Sequence, residues 1–133
     1  MIKVSVGVMA YNEEKNIERL LDALSTQSLR TVEISEIIVV SSGSTDGTDA
    51  IVRRWSARDP RVRLIRQEER RGKSSAINLF LAEARKGLSV FVLESGDTVP
   101  HPDCVEHMVA PFADATVGMT GGRPTPVDDP DTF

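Results

Sequence analysis

The chain is 133 residues long, enough for one domain of ordinary size. Its hydrophobic share of 40% and charged share of 27% exclude a disordered segment, and its formal net charge of −4 argues against a general nucleic-acid binder. A single cysteine, Cys104, excludes an internal disulfide, and apolar runs such as Ile37–Val40 and Val90–Leu93 fall far short of the roughly 20 residues that cross a bilayer.

Ile2–Met9 places Ile2, Val4, Val6 and Val8 at alternate positions, which predicts a strand. Ile17, Leu20, Leu21 and Leu24 then follow helical spacing, with Asn12 in position to cap that helix and Glu13 and Glu14 suited to its positive end. Ile34–Val40 reads as a second strand buried on both faces. The polar turn Ser41–Thr48 leads to a helix that carries Ile51, Val52 and Trp55 inward. Val62–Arg66 is a third strand, and a charged loop at Glu68–Lys73 precedes a helix with Ile77, Phe80, Leu81 and Ala84 on one face. Leu88–Leu93 is a fourth strand. Glu94–Pro102 turns into a short helix bearing Val105, Met108, Val109 and Phe112, and Val117–Thr120 is a candidate fifth strand. Residues 121–133, with three prolines and three aspartates, are expected to be irregular.

This alternation predicts a single α/β domain over residues 1–133, built on a mainly parallel sheet with helices on both faces. Ligands of such sheets sit at the carboxyl ends of the strands. The loops Ala10–Glu13, Ser41–Thr48 and Glu94–Asp97 lie there, with Gly72, Lys73 and Asn78 at the start of the third helix. Neither common phosphate motif accounts for them. Gln67 occupies the position where a P-loop ending in Gly72-Lys73-Ser74 needs its first glycine, and no G-x-G-x-x-G follows the first strand. What the loops offer is an aromatic face, hydroxyls, a lysine and carboxylates on one edge. That set suits a nucleoside diphosphate, whose base can stack, whose phosphates favour a helix N-terminus, and whose charge a divalent cation can neutralise.

At this point the chain resembles family 2 glycosyltransferases. The resemblance rests on Val4-Ser5-Val6-Gly7-Val8-Met9-Ala10-Tyr11-Asn12-Glu13-Glu14 and on Ile37-Ile38-Val39-Val40-Ser41-Ser42-Gly43-Ser44-Thr45-Asp46-Gly47-Thr48. It also rests on Arg70-x-Gly72-Lys73-x-x-Ala76-Ile77-Asn78 and on Ser95-Gly96-Asp97-Thr98-Val99-Pro100. It implies a GT-A fold and an inverting transferase that passes a sugar from a nucleoside-diphosphate donor to a hydroxyl acceptor, usually with Mg²⁺ or Mn²⁺. By the same resemblance Ala10, Tyr11 and Glu13 line the nucleotide pocket, and Ser42 faces the base. Asp46 orders its loop, Lys73 approaches base or phosphates, Ser95 and Gly96 lie at the D-x-D motif, and Asp97 holds the metal. Ser41, Ser42 and Ser95 stand where the family commonly has aspartates, which thins the metal site to Asp97 with help from Glu94 and leaves the nucleobase open. No residue suggests itself as the general base, so the chain reads as the donor-binding half of a longer enzyme.

The alternative is a non-catalytic nucleotide-sugar-binding or interaction module of the same fold. A nucleotidyltransferase, a third reading, would show a glycine-rich basic loop after the first strand, unlike Ala10-Tyr11-Asn12-Glu13. His101 and His107 lack partners at zinc-ligand spacing, and Cys104 reads as inert. With no leader-like stretch after Met1, a cytoplasmic location is expected, at the membrane face in a complete enzyme. Nine Lys or Arg residues lie between Arg53 and Lys73 against three acids, and this run is either a solvated surface or a partner face for phosphates or lipid heads. The sheet edge near Val117 is an expected site for pairing with a second copy.

Overall fold

In the computed structural model, which describes residues 1–88 and 90–125, four parallel strands form one sheet in the order β3-β2-β1-β4. The strands are β1 (Ile2–Ala10), β2 (Val32–Ser42), β3 (Val62–Gln67) and β4 (Val90–Ser95). The helices are α1 (Ile17–Ser25), α2 (Thr48–Arg58), α3 (Lys73–Glu83) and α4 (Cys104–Val109), followed by a 3₁₀ turn at Ala110–Ala113. The order reverses at β1. From β1 the chain steps through α1 to β2 and through α2 to β3, then returns through α3 to β4 on the far side of β1. That reversal opens a crevice at the carboxyl ends of β1 and β4, where ligands of such sheets bind.

Alternation along the strands divides the interior in two. Val4, Val6, Val8 and Ala10 face α1, α2 and α4 across the larger core, while Met9, Ile38 and Val40 face α3 across a smaller one. Ile34 and Ile37 share the larger core despite their odd spacing, because the β1–β2 register slips between Val4–Ile34 and Ser5–Glu36. The slip turns Glu36 to the other face. There its buried carboxylate accepts the Ser5 hydroxyl at 2.8 Å and the Arg85 N–H at 2.6 Å, with Arg63 at 3.5 Å.

Three expectations are corrected. Asn12 does not cap α1, whose N-cap is Asn16; Asn12 stands four residues earlier, at φ 50°, and bridges two loops as described below. Leu81 is exposed, because α3 presents Ala76, Ile77, Leu79, Phe80 and Ala84 to the sheet and Leu81 lies one residue off that stripe. Val117–Thr120 is not a strand; after a turn closed by Thr116 on Asp114, it runs along α4, where the Thr120 hydroxyl donates to the Met108 carbonyl at 2.7 Å. The sheet-edge pairing expected near Val117 therefore loses its strand. Trp55 packs against the larger core but is only partly buried, under the Arg58 guanidinium at 4.4 Å from its ring centroid. Residues 121–125 hold no regular structure, and residues 126–133 of the expected irregular tail lie outside the described residues.

Opposite the crevice, α4 is clasped to the start of β2 by Glu106. This carboxylate is 4% exposed and accepts the Thr31 hydroxyl and the backbone N–H groups of Arg30, Thr31 and Val32. The Thr31 hydroxyl and then the Arg30 N–H hold its pKa down to about 2, against the ordinary 4.5. A depressed carboxylate stabilises the fold in full above the unfolded value, and that contribution disappears as pH falls from 4.5 through 2. Melting temperatures of the wild type are therefore expected to fall steeply across that window. In Glu106→Gln they start lower and fall less, and parallel curves for the two proteins would contradict the assignment.

Candidate functional site

Four loops meet at the carboxyl edge, and hydrogen bonds tie them to one another. Asn12 is the main tie between the β1–α1 and β2–α2 loops. Its side-chain oxygen accepts the Thr45 N–H at 2.8 Å, and its own N–H donates to Ser44 Oγ at 3.1 Å. Its left-handed backbone, tolerated by asparagine, aims both groups across the gap. Asp46 adds a second tie. Its carboxylate accepts the Glu14 N–H at 3.2 Å and, from Thr48, both the N–H at 3.0 Å and the hydroxyl. Burial opposes its charge, but these bonds outweigh burial and leave the pKa below the ordinary value. The Thr48 hydroxyl in turn accepts the Glu13 N–H at 2.8 Å. Asp46 thus orders the loop.

At the ends of β1 and β4, Gly96 lets the β4–α4 turn pack closely against the β1–α1 loop. A Cβ on Gly96 would lie 2.8 Å from Glu13 Cγ and 3.3 Å from Ala10 Cβ, while its N–H donates to the Met9 carbonyl. Ala10, Glu13 and Gly96 therefore form one wall. The Glu13 carboxylate accepts the Asn16 side-chain amide at 2.9 Å. Across from this wall, the Lys73 ammonium at the start of α3 donates to Ser95 Oγ at 2.8 Å. Asp97, two residues further on, is exposed.

The β3–α3 loop closes over the end of β2. The Arg71 N–H donates to the buried Ser42 hydroxyl at 3.0 Å. Gly43, at φ 67°, lets the Arg70 backbone settle directly on it; a Cβ there would overlap the Arg70 nitrogen. Arg70 then lays its guanidinium over the Tyr11 ring, 4.0 Å from the centroid, as a cation–π pair. The sequence places Arg70 at the head of the motif Arg70-x-Gly72-Lys73, but nothing in that spacing marks its contact with Tyr11 or the approach of the Arg71 N–H to Ser42. Gly43, the residue immediately after β2, has the positive φ and the missing Cβ that let this second backbone approach.

Ala10, Tyr11, Glu13, Ser42, Lys73, Ser95 and Gly96 all lie on this edge, and Asp46 sits at its rim with its carboxylate turned toward the loops. Only limited cation chemistry is available among the described residues, which contain no cluster of three or more His, Cys, Asp or Glu side chains. Burial pushes the Glu94 carboxyl above its ordinary value, with the Thr98 hydroxyl pulling part of the way back, so Glu94 is a reluctant ligand. Burial, with the charges of Glu94 and Asp103, also pushes the Cys104 thiol up, away from nucleophilic character. A lone Asp97 still fits Mg²⁺ or Mn²⁺ of the kind that takes one or two carboxylates together with substrate phosphates and water. No helix among the described residues is long and apolar enough to cross a membrane.

Comparison with known proteins matches this fold. The sequence profile of Glycosyl transferase family 2 matches residues 5–133. The chain is 30% identical over 120 residues to Glycosyltransferase AglE of Haloferax volcanii, covering 90% of this chain and 38% of that protein. It is 39% identical over 106 residues to the succinoglycan biosynthesis protein ExoO of Rhizobium meliloti, covering 80% and 28%. The fold resembles that of the mannosyltransferase PcManGT from Pyrobaculum calidifontis, solved in complex with GDP-Man and Mn²⁺. The TM-score is 0.75 and the identity 38%, covering 86% of this chain and 33% of that one. It also resembles glucosyl-3-phosphoglycerate synthase from Mycobacterium tuberculosis, solved with Mn²⁺, UDP and glucosyl-3-phosphoglycerate, at a TM-score of 0.67 and 30% identity, covering 84% and 40%. The chain spans 28–40% of the length of these relatives.

Proposed function

The chain belongs to glycosyl transferase family 2, and on that premise we propose that it forms the donor-binding part of an inverting glycosyltransferase. Such an enzyme moves a sugar from a nucleoside diphosphate to a hydroxyl acceptor by single displacement. The observation that carries the reading is the crevice itself. A lysine ammonium and a free carboxylate, Lys73 and Asp97, flank Ser95 and Gly96 at the point where the sheet reverses, beside the Ala10–Glu13 wall.

Each of these residues has a task the geometry supports. Lys73, held by Ser95, presents a fixed cation to the diphosphate at the start of α3. Ser42 turns its hydroxyl toward the Arg71 backbone, so the base end of the pocket is bounded by the β3–α3 loop. Tyr11 supplies the aromatic face, and Arg70 must slide along or leave it when a base stacks there. Glu13 and Ala10 pack against Gly96, which holds the β1–α1 and β4–α4 loops together beside the ligand. Asp97 would hold a divalent cation, which when bound neutralises the diphosphate of the leaving nucleotide. The acceptor and its proton are handled outside these residues.

Calorimetric titration with GDP and with UDP, each with and without Mn²⁺, tests the assignment. Asp97→Ala is expected to remove the metal-dependent part of the affinity, and Lys73→Ala to weaken binding on the order of tenfold with or without metal, as loss of one charge-assisted contact does. Undiminished metal-dependent binding by Asp97→Ala would sink the metal assignment. The second reading, a nucleotide-sugar-binding module without turnover, is favoured by one observation. Ser41, Ser42 and Ser95 spend their hydroxyls on Ser44, Arg71 and Lys73. Donor binding without sugar release to water or to any acceptor, in a protein that includes these residues, would support that reading.

A further inference from the structure

We propose that the outer edge of β3 is a docking groove for an extended acidic peptide of a partner protein, which adds to the sheet as a fifth strand. Among the described residues β3 is the outermost strand on its side of the sheet. The Ile37 N–H donates to the Arg61 carbonyl and the Gly43 N–H to the Gln67 carbonyl, so the odd-numbered residues of this stretch turn toward β2. Strand alternation then leaves the backbone groups of Leu64 and Arg66 on the open edge. The Val62 carbonyl is already taken by the Ser56 hydroxyl at 2.8 Å and its N–H by the Asp59 carbonyl. The free edge is therefore short, and it is a template for pairing.

Both flanks of that edge carry the same charge. Between β3 and α2 lies a concavity of about 450 Å³ lined by Arg53, Arg63 and Arg66 with Leu64 in its floor, and no acidic side chain lines it. On the other flank a second concavity, of about 310 Å³, is lined by Arg61, Arg63 and Arg85, and its one acid, Glu36, is buried and already bonded. Among the described residues neither Arg53 nor Arg85 has an acidic side chain within ion-pair distance, so each flank holds one uncommitted guanidinium. Side chains of an added strand alternate between its two faces. A segment with acidic residues at adjacent positions would place one carboxylate over Arg53 and the next over Arg85, while its backbone pairs with Leu64 and Arg66. This combination of a free strand edge, a helix wall and fixed side-chain pockets is the geometry of strand addition, and the charge selects the partner.

The probe is a fluorescein-labelled peptide, Val-Glu-Glu-Thr-Glu-Glu-Val-Thr, read by anisotropy with this chain at low and at moderate salt. Saturable binding is expected. Arg53→Glu and Arg85→Glu should each weaken it at least fivefold with unchanged melting temperatures, since both side chains are exposed and unpaired. The same peptide N-methylated at alternate backbone nitrogens keeps its charge and should bind at least tenfold more weakly. Amide exchange at Leu64 and Arg66 should slow when the unmodified peptide binds. Equal binding of the N-methylated peptide, unchanged binding by both arginine variants, or binding to phosphatidylserine vesicles without binding to the peptide would each overturn the proposal.

Discussion

Replacing Phe80 by alanine is expected to lower the unfolding free energy by about 3–5 kcal/mol, the usual cost of emptying a buried phenylalanine site. Phe80 is fully buried and is the largest side chain of the smaller core, where α3 covers the sheet alone. Its ring lies over Gly7 of β1 so closely that a Cβ on Gly7 would sit 2.6 Å from the ring. Phe91 of β4 meets its edge at right angles, with centroids 6.0 Å apart. Among the described residues no second helix is available to close the space. Gly7→Ala in the wild-type background is also destabilising, because ring and strand must part. In the Phe80→Ala background the same methyl enters the vacated space, so the double variant should be less destabilised than the sum of the two single ones. Urea unfolding of the four proteins checks this, and strictly additive losses would contradict the packing.

The second large effect is expected at Gly43. Alanine there meets two obstacles at once. A left-handed backbone costs a residue with a Cβ roughly 1–2 kcal/mol, and the new atom collides with the Arg70 backbone rather than with a side chain that could swing away. The β3–α3 loop must lift, which breaks the Arg71-to-Ser42 bond and withdraws Arg70 from Tyr11. Affinity for a nucleoside diphosphate is expected to fall by tenfold or more, while the sheet, whose last β2–β3 pair is Ser42 with Gln67, stays paired. Titration calorimetry beside a far-ultraviolet circular dichroism spectrum separates the two. Full affinity with an intact spectrum would show that the loop does not bound the pocket.

Much of the architecture was legible because period-two and period-3.6 patterns do not compete here. β1 alternates cleanly, and α1 carries Ile17, Leu20, Leu21 and Leu24 on one stripe, all of them buried. β2 runs longer than expected, since Val32 pairs with Ile2 and Ser42 with Gln67 beyond the apolar run. The register slip after Ile34 was invisible, since once Ile34–Val40 is read as buried on both faces nothing in Ile34-Ser35-Glu36-Ile37 marks which face each residue takes. Val117–Thr120 had the composition of a strand, but its partner is α4 through Thr120 rather than a neighbouring strand. At the site, loop positions alone put the Ala10–Glu13, Ser41–Thr48 and Glu94–Asp97 loops and Lys73 on one edge, but not the packing of Gly96 on Ala10 and Glu13 or the bond from Lys73 to Ser95. What escaped was the bonding between loops. Asn12 looked like a cap because asparagine serves helix ends and left-handed turns equally well, and only the fold decides between them. The contacts of Arg70 and Glu106 escaped for the same reason, as each depends on a residue more than 50 positions away.

The central claim is that this edge of the sheet binds a nucleoside diphosphate. Thermal unfolding of the chain with UDP, GDP, CDP and dTDP, each with and without Mn²⁺, tests it most directly. A ligand at 100 times its dissociation constant stabilises a fold by about 2.7 kcal/mol, which for a domain of this size is a shift of several degrees. The account predicts such a shift with at least one diphosphate, larger in the presence of Mn²⁺ and lost in Gly43→Ala. An unchanged melting temperature with all four nucleotides, with and without metal, would contradict it.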